Sequence, residues 1–270
     1  MGTFDREDFG DATKSVRPPL SFAPLPAPRL PALLTPLRRE ILRLAWPAAI
    51  QNLLQTGLFV VDTKMVGLLP GPGPLAACGI VGPLIWSITV IFTVFTVGTT
   101  ALVARAKGEG DEGKARSAVA SALALAGMLG LPVAVAGIAA ARPIVEVFAG
   151  EKVPAEVRAM AVGYLRFTIA AFPFDFLALA AMASLRGAGD TKTPMHATLG
   201  ANLFNVLGNW LLIYGNAGFP RLGVPGAGLA TATAGVLEAG YLLLALERGW
   251  GGRLRLPFRE LRRASVATVK

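Results

Sequence analysis

The sequence predicts an all-α, polytopic membrane protein, a bundle of six transmembrane helices, and three observations carry that prediction. First, 53% of the 270 residues are hydrophobic and only 16% are charged, which leaves too much apolar mass for a soluble domain. Second, the apolar residues gather into six runs, each near the ~20 residues that span a hydrocarbon core. Third, the runs are too long and too solidly apolar for alternating barrel strands. Backbone in lipid must satisfy its own hydrogen bonds, so they are helices.

Residues 1–36 are rich in Pro and mixed in charge, and are expected to be disordered. The six-helix lobe is expected over 37–250, with spans at Leu44–Leu69, Pro83–Ala104, Ala118–Ala141, Tyr164–Leu185, Pro194–Tyr214 and Pro225–Leu246. Stretches such as Pro70-Gly-Pro-Gly-Pro74 and Gly215-Asn-Ala-Gly-Phe-Pro220 separate the runs. They stop helices because Gly admits left-handed dihedrals and Pro lacks a donor. Gly108-Glu-Gly-Asp111 and Gly187-Ala-Gly-Asp190 echo one another after an apolar run and an Arg. Each reads as a helix C-cap glycine followed by an Asp that caps the next helix. Residues 251–270 form a basic cytoplasmic tail or the start of a linker.

The net charge of +9 reports topology rather than nucleic acid, because the Lys and Arg cap apolar runs and form no basic stripe with interleaved aromatics. Arg38, Arg39, Arg43, Arg105, Lys107, Lys114, Arg116, Arg186, Lys192, Arg248 and the basic tail fall on one side. The positive-inside tendency makes that side, and both termini, cytoplasmic, with the plasma (inner) membrane as the expected location. Six spans satisfy the even number this requires.

Gly108–Gly113 matches Gly-x-Gly-x-x-Gly, and with Lys114 it approaches a P-loop. No strand precedes it and Ala115 replaces the magnesium-binding Ser or Thr, so a solvated loop is the reading and no nucleotide is assigned. Cys78 and His196 are the only residues of their kinds, too few for a thiolate or histidine metal site, and no metal or cofactor is expected.

Polar groups at membrane depth are costly and therefore informative. Pro47, Gln51, Gln55 and Asp62 fall within a narrow arc of the first span, a polar stripe that ends in a carboxylate. Asp62 reads as a functional acid, a structural ion-pair partner or an interface residue. Thr198, Asn202, Asn205 and Asn209 repeat the pattern on the fifth span, as amide glue between helices or as ligand contacts. Two such stripes facing one another are what a water-filled cavity needs. Asp175 and Glu238 are further intramembrane carboxylates, which either join that cavity or are satisfied between helices. Thr89, Thr93, Thr96 and Thr100 share a face but count for little, since threonines bond back to their own helix.

Several segments in order resemble the multidrug and toxic compound extrusion (MATE) transporters: Leu44-Ala-Trp-Pro47, Val61-Asp-Thr-Lys-Met-Val-Gly67, Leu75-Ala-Ala77, Leu185-Arg-Gly-Ala-Gly-Asp-Thr-Lys-Thr-Pro194, Asn205 with Leu211-Leu-Ile-Tyr-Gly215, and Gly223-Val-Pro-Gly-Ala-Gly-Leu-Ala-Thr231. The likeness runs from Leu37 to Leu246 and is nearest to the branch of DNA-damage-inducible and plastid members. It implies an antiporter that exports small organic, often cationic, compounds in exchange for protons or sodium. By motif match Asp62 is the cation-binding carboxylate, Pro47 the bending point, and Asn205 a cavity residue, while Asn209 stands where many members carry aspartate. Asp175 and Glu238 match no motif. Members resemble two six-helix lobes in one chain, so the second lobe is an expected partner, and the chain reads as an N-terminal half. The alternatives are a non-transporting half-protein or subunit, and a membrane-embedded enzyme.

Overall fold

The computed structural model describes residues 30–249 and 254–256, all-helical apart from turns. Residues 1–29 of the expected disordered segment, and most of the expected basic tail, lie outside the described residues. The chain divides into units of residues 1–41 and 42–270, and the packing below is that of the second.

Helix α1 (Leu30–Gly67) begins inside the segment expected to lack structure. Leu30, Leu33, Leu34 and Leu37 recur at helical spacing, and Pro31 sits in the first turn, where its missing N–H costs nothing. Helix α2 (Gly73–Gly108) starts well before the expected Pro83, which lies inside it. Pro74 supplies the helix-starting proline instead, and Pro83 removes one interior hydrogen bond without stopping the helix.

Helix α3 (Glu112–Ala139) follows an Asp111 cap whose carboxylate accepts the Lys114 amide at 2.9 Å. In this exposed turn the Lys114 amide bond outweighs a slight desolvation and holds the Asp111 carboxyl below the ordinary aspartate range. The echo at Asp190 is the same turn. Gly110 and Gly189 both adopt positive φ, of 72° and 81°, and the Asp111 and Asp190 amides reach back to the Ala106 and Leu185 carbonyls at 3.0 and 2.8 Å. Both are glycine-capped helix ends. Helix α4 (Ala141–Ala149), not expected from the sequence, is a short element with Val147 and Phe148 exposed.

The expected fourth span is two helices, α5 (Ala155–Ala170) and α6 (Phe172–Gly187), bent by 47°. Pro173 is the cause: it has no amide for the carbonyl one turn back. Gly130 on α3 fits the elbow, since a Cβ there would lie 2.7 Å from the Pro173 Cα. Phe176 stacks on Phe92 of α2 with ring centroids 4.0 Å apart, which locks α6 to α2.

Helices α7 (Lys192–Leu212) and α8 (Val224–Arg248) complete the lobe. They pack along one another, α3 packs along α6, and α5 and α6 both meet α8. Beyond Gly249, Leu256 returns to donate to the Leu246 carbonyl at 2.9 Å. Among the described residues four helices (α1, α2, α3 and α8) are long and apolar enough to cross a membrane, and the bent α5–α6 pair makes a fifth. Helix α7, with 21 residues, is long enough at roughly 1.5 Å per residue but carries more polar groups. Thr198, Asn205 and Asn209 are buried in the protein instead of facing lipid. Leu53, Phe59, Ile91, Val94 and Met128 are among the large apolar side chains left exposed, as a lipid-facing surface requires.

Candidate functional site

Two polar clusters join α1 to the rest of the lobe. They centre on Asp62 and Gln51, eleven positions apart on α1 and therefore roughly 16 Å apart along it.

At the first cluster, Asp62 is half-buried on α1. Its Oδ1 accepts a hydrogen bond from Asn209 Nδ2 at 2.6 Å. The same Asn209 amide group also donates to Asn205 Oδ1 at 2.9 Å, one helical turn earlier on α7. Asn205 Nδ2 donates to Thr231 Oγ1 on α8 at 3.1 Å, and Thr231 donates to its own helix at the Ala227 carbonyl. The four side chains thus form a line across α1, α7 and α8. Asn209 Oδ1 is fully buried and has no hydrogen-bond partner. An orphaned buried acceptor needs an explanation, and here the nitrogen of the same amide is already spent on Asp62 and Asn205.

The contacts continue on both sides of Asp62, the first about two turns toward Pro47. Asn202 Nδ2 donates to the Leu54 carbonyl of α1 at 2.7 Å, and beyond Asp62 the Tyr214 hydroxyl donates to the Met65 carbonyl at 2.7 Å. Gln55, expected in the same stripe, is exposed and stands apart from these contacts.

The second cluster has Gln51, with no exposed surface, at its centre. Its Nε2 donates to Thr198 Oγ1 at 2.8 Å and meets Met182 Sδ at 3.1 Å, while its Oε1 accepts from Arg186 at 2.7 Å. Thr198 passes the line on, donating to Glu238 Oε1 at 2.7 Å. A guanidinium and a carboxylate are therefore bridged by two neutral groups, each satisfied on both sides. This arrangement suits buried polar networks, where a half-satisfied member is costly. Asp175 on α6 lies against Gly235 of α8, where a Cβ would come within 2.3 Å of its Oδ1. Both extra carboxylates therefore meet at the α6–α8 contact, Glu238 within the Gln51 line and Asp175 beside it. Pro47 is buried one turn before Gln51, and a proline there leaves the Arg43 carbonyl without its helical donor.

Thr231 and Arg186 were not expected as site residues. Thr231 closes a recognised motif but is one of two threonines on that helix, with Thr233, and the small residues around them offer no contrast. Arg186 ends an apolar run, which is what a topological loop cation also does. Of the threonine stripe of α2, Thr89, Thr93 and Thr96 bond to carbonyls of their own helix as expected, at 2.9, 2.9 and 2.7 Å, while Thr100 also reaches the Ala183 carbonyl of α6 at 3.1 Å. His196 is exposed near the start of α7. Among the described residues no three His, Cys, Asp or Glu side chains lie close enough to hold a metal ion.

A family model described as MatE matches residues 47–211. Among curated proteins, the chain is 30% identical over 209 residues to a Thermotoga maritima protein named "Probable multidrug resistance protein NorM", covering 76% of this chain and 44% of the relative. It is 34% identical over 197 residues to the multidrug resistance protein PmpM of Pseudomonas aeruginosa, covering 72% and 40%. Among solved structures, a MOP superfamily transporter from Pyrococcus furiosus superimposes with a TM-score of 0.73 at 25% identity, covering 82% of this chain and 47% of that one. The chain spans about half the length of the curated relatives it matches.

Proposed function

The chain belongs to the MatE family, and from that premise we propose that it is one lobe of a cation-coupled exporter of small organic compounds. The observation that carries the proposal is the line Asp62–Asn209–Asn205–Thr231, with the buried and unpartnered Asn209 Oδ1 beside the acid. A carboxylate, an amide oxygen and a hydroxyl are hard oxygen donors suited to sodium, and the carboxylate alone takes a proton. Asp62 is the coupling residue in this reading, and Gln51, Asn202, Asn205 and Asn209 hold α1 in register around it. Gln55, exposed on the same helix, faces the pathway.

Coupling follows from how α1 is held. Its polar ties run through Asp62, Leu54 and Gln51 to α7 and through Met65 to Tyr214 just beyond it, and Pro47 leaves the helix one hydrogen bond short one turn before Gln51. Cation binding removes the charge at Asp62, weakens its charge-assisted bond to Asn209 and releases that length of α1 to bend and displace substrate.

The lobe runs over residues 37–250 and the segment 251–270 leads into a linker, with both termini on the cytoplasmic side of the plasma membrane. A second six-helix lobe completes the pathway; the support is that the relatives, named as multidrug resistance proteins, are about twice as long. An export role is favoured over a membrane-embedded enzyme because the buried polar groups pair with one another in lines across helices, and the relatives are named as multidrug resistance proteins.

The test uses vesicles holding the completed transporter and a fluorescent organic cation. Imposed proton and sodium gradients are compared in separate arms, and export driven by either one supports the reading and names the coupling ion. Correct insertion with no gradient-dependent movement in either arm leaves the non-transporting half-protein in its place.

A further inference from the structure

We propose that a pocket walled by Arg43, Lys192 and His196 binds the phosphate of an anionic phospholipid. The pocket, of about 340 Å³, lies between the Arg43–Leu44 stretch of α1 and the Gly189–Thr193 turn with His196 of α7. It is remote from the Asp62 cluster, and neither polar line of the lobe uses it.

Charge decides what it takes. The one acid in its wall is Asp190, buried and fully committed: Oδ1 accepts the Lys192 and Thr193 amides at 3.1 and 3.0 Å, and Oδ2 accepts the Thr193 hydroxyl at 2.6 Å. The first amides of α7 are therefore already occupied, and any attraction for an anion comes from side chains. Arg43 and Lys192 are exposed and hold no ion pair among the described residues. Two cations and a histidine thus border a small cavity whose one carboxylate has its oxygens turned to donors of its own turn. A guanidinium fork with an ammonium is a phosphate-binding set.

Depth decides the source of the phosphate. Around Arg43 on α1, Leu42 is 66% exposed and Trp46 is 45% exposed, and Leu53 farther along is 70% exposed. Apolar side chains facing outward with a Trp beside a cation mark the headgroup level of a bilayer. A basic pocket between helices at that level is where an acidic headgroup docks, with its acyl chains along the apolar face below. Arg43 precedes Pro47 by one turn, so a bound lipid ties the near side of that proline to α7.

Binding is measured directly, without reference to transport, by native mass spectrometry of the full chain in detergent titrated with short-chain phosphatidylglycerol, phosphatidylcholine or inorganic phosphate. Selective retention of phosphatidylglycerol is expected, weakened roughly thirtyfold in Arg43→Gln/Lys192→Gln. The variant Arg105→Gln/Lys114→Gln removes the same charge outside the pocket and is expected to bind as the parent does. Lys192→Gln alone, an exposed single change, is expected to weaken binding and serves where the double variant melts early. Equal retention of phosphatidylcholine, equal loss in the Arg105/Lys114 control, or undiminished binding by both pocket variants overturns the proposal. Inorganic phosphate bound as tightly as the lipid overturns the lipid assignment.

Discussion

Asp62 Oδ1 and Asn209 Nδ2 stand 2.6 Å apart across 147 positions of sequence, and this bond turns the acid of α1 toward α7 and away from lipid. Its partner is itself anchored, because Asn209 also donates to Asn205. Replacing Asn209 by Leu removes the donor to the carboxylate and the orphaned oxygen together. The amide oxygen is the group a sodium ion would gain from Asn209, so sodium is expected to bind about tenfold more weakly without it. Isothermal titration with sodium checks this, and unchanged sodium affinity removes Asn209 from the site.

Gln51 is the hub of the second cluster, and its loss strands three partners at once. Gln51→Leu leaves Arg186 and Thr198 without the bridging amide, an expected cost of about 2 kcal/mol. Thermal unfolding in detergent reads this as a clear fall in Tm. Gln55→Leu, on the exposed side of the same helix, is expected to leave Tm nearly unchanged, which separates the network from a general effect of polarity on α1.

Two glycines set the packing of the bent span. Gly130→Ala would place a Cβ 2.7 Å from Pro173 Cα, a backbone atom that cannot turn aside, and Gly235→Ala would place one 2.3 Å from Asp175 Oδ1. Overpacking of this kind costs about 1–3 kcal/mol. The Gly235 variant is expected to recover more fully when Asp175 is shortened to Ala, since its obstacle is a side chain. A double-variant melting cycle checks this; no recovery would place the clash elsewhere.

The Asp111 cap predicts a pH dependence with a definite sign. Its folded carboxyl lies below the ordinary aspartate value of 3.8 through the Lys114 amide. A depressed folded value contributes stability above the unfolded value, and that contribution fades as pH falls through the folded one. Asp111→Ala should therefore lower Tm at neutral pH, and the gap from the parent should narrow in strong acid. A gap that stays constant down to the lowest pH would mean that the carboxylate charge does not support α3.

Much of the fold was legible because a span announces itself as a solid apolar run, and the runs at α3 and α8 needed only small changes at their ends. The break at Ala171 was not, since Pro173 sits in an apolar run that continues on both sides, and composition cannot say whether a proline bends a helix or starts one. The same ambiguity moved the start of α2 from Pro83 to Gly73. In the site, helical spacing brought Gln51 and Asp62 to one face and Asn202, Asn205 and Asn209 to another. Spacing fixes faces within a helix and not partners between helices. Arg186 therefore read as a loop cation until the bend of α5–α6 placed it against Gln51, and Gln55 was grouped with neighbours it does not join.

The central claim is that Asp62 carries the coupling charge. The most direct measurement is the rate of gradient-driven export of a fluorescent organic cation from vesicles holding the completed transporter with Asp62→Asn. The account predicts a fall to the rate seen without a gradient, with insertion and helical content retained. Export that continues undiminished under the same gradient would contradict it.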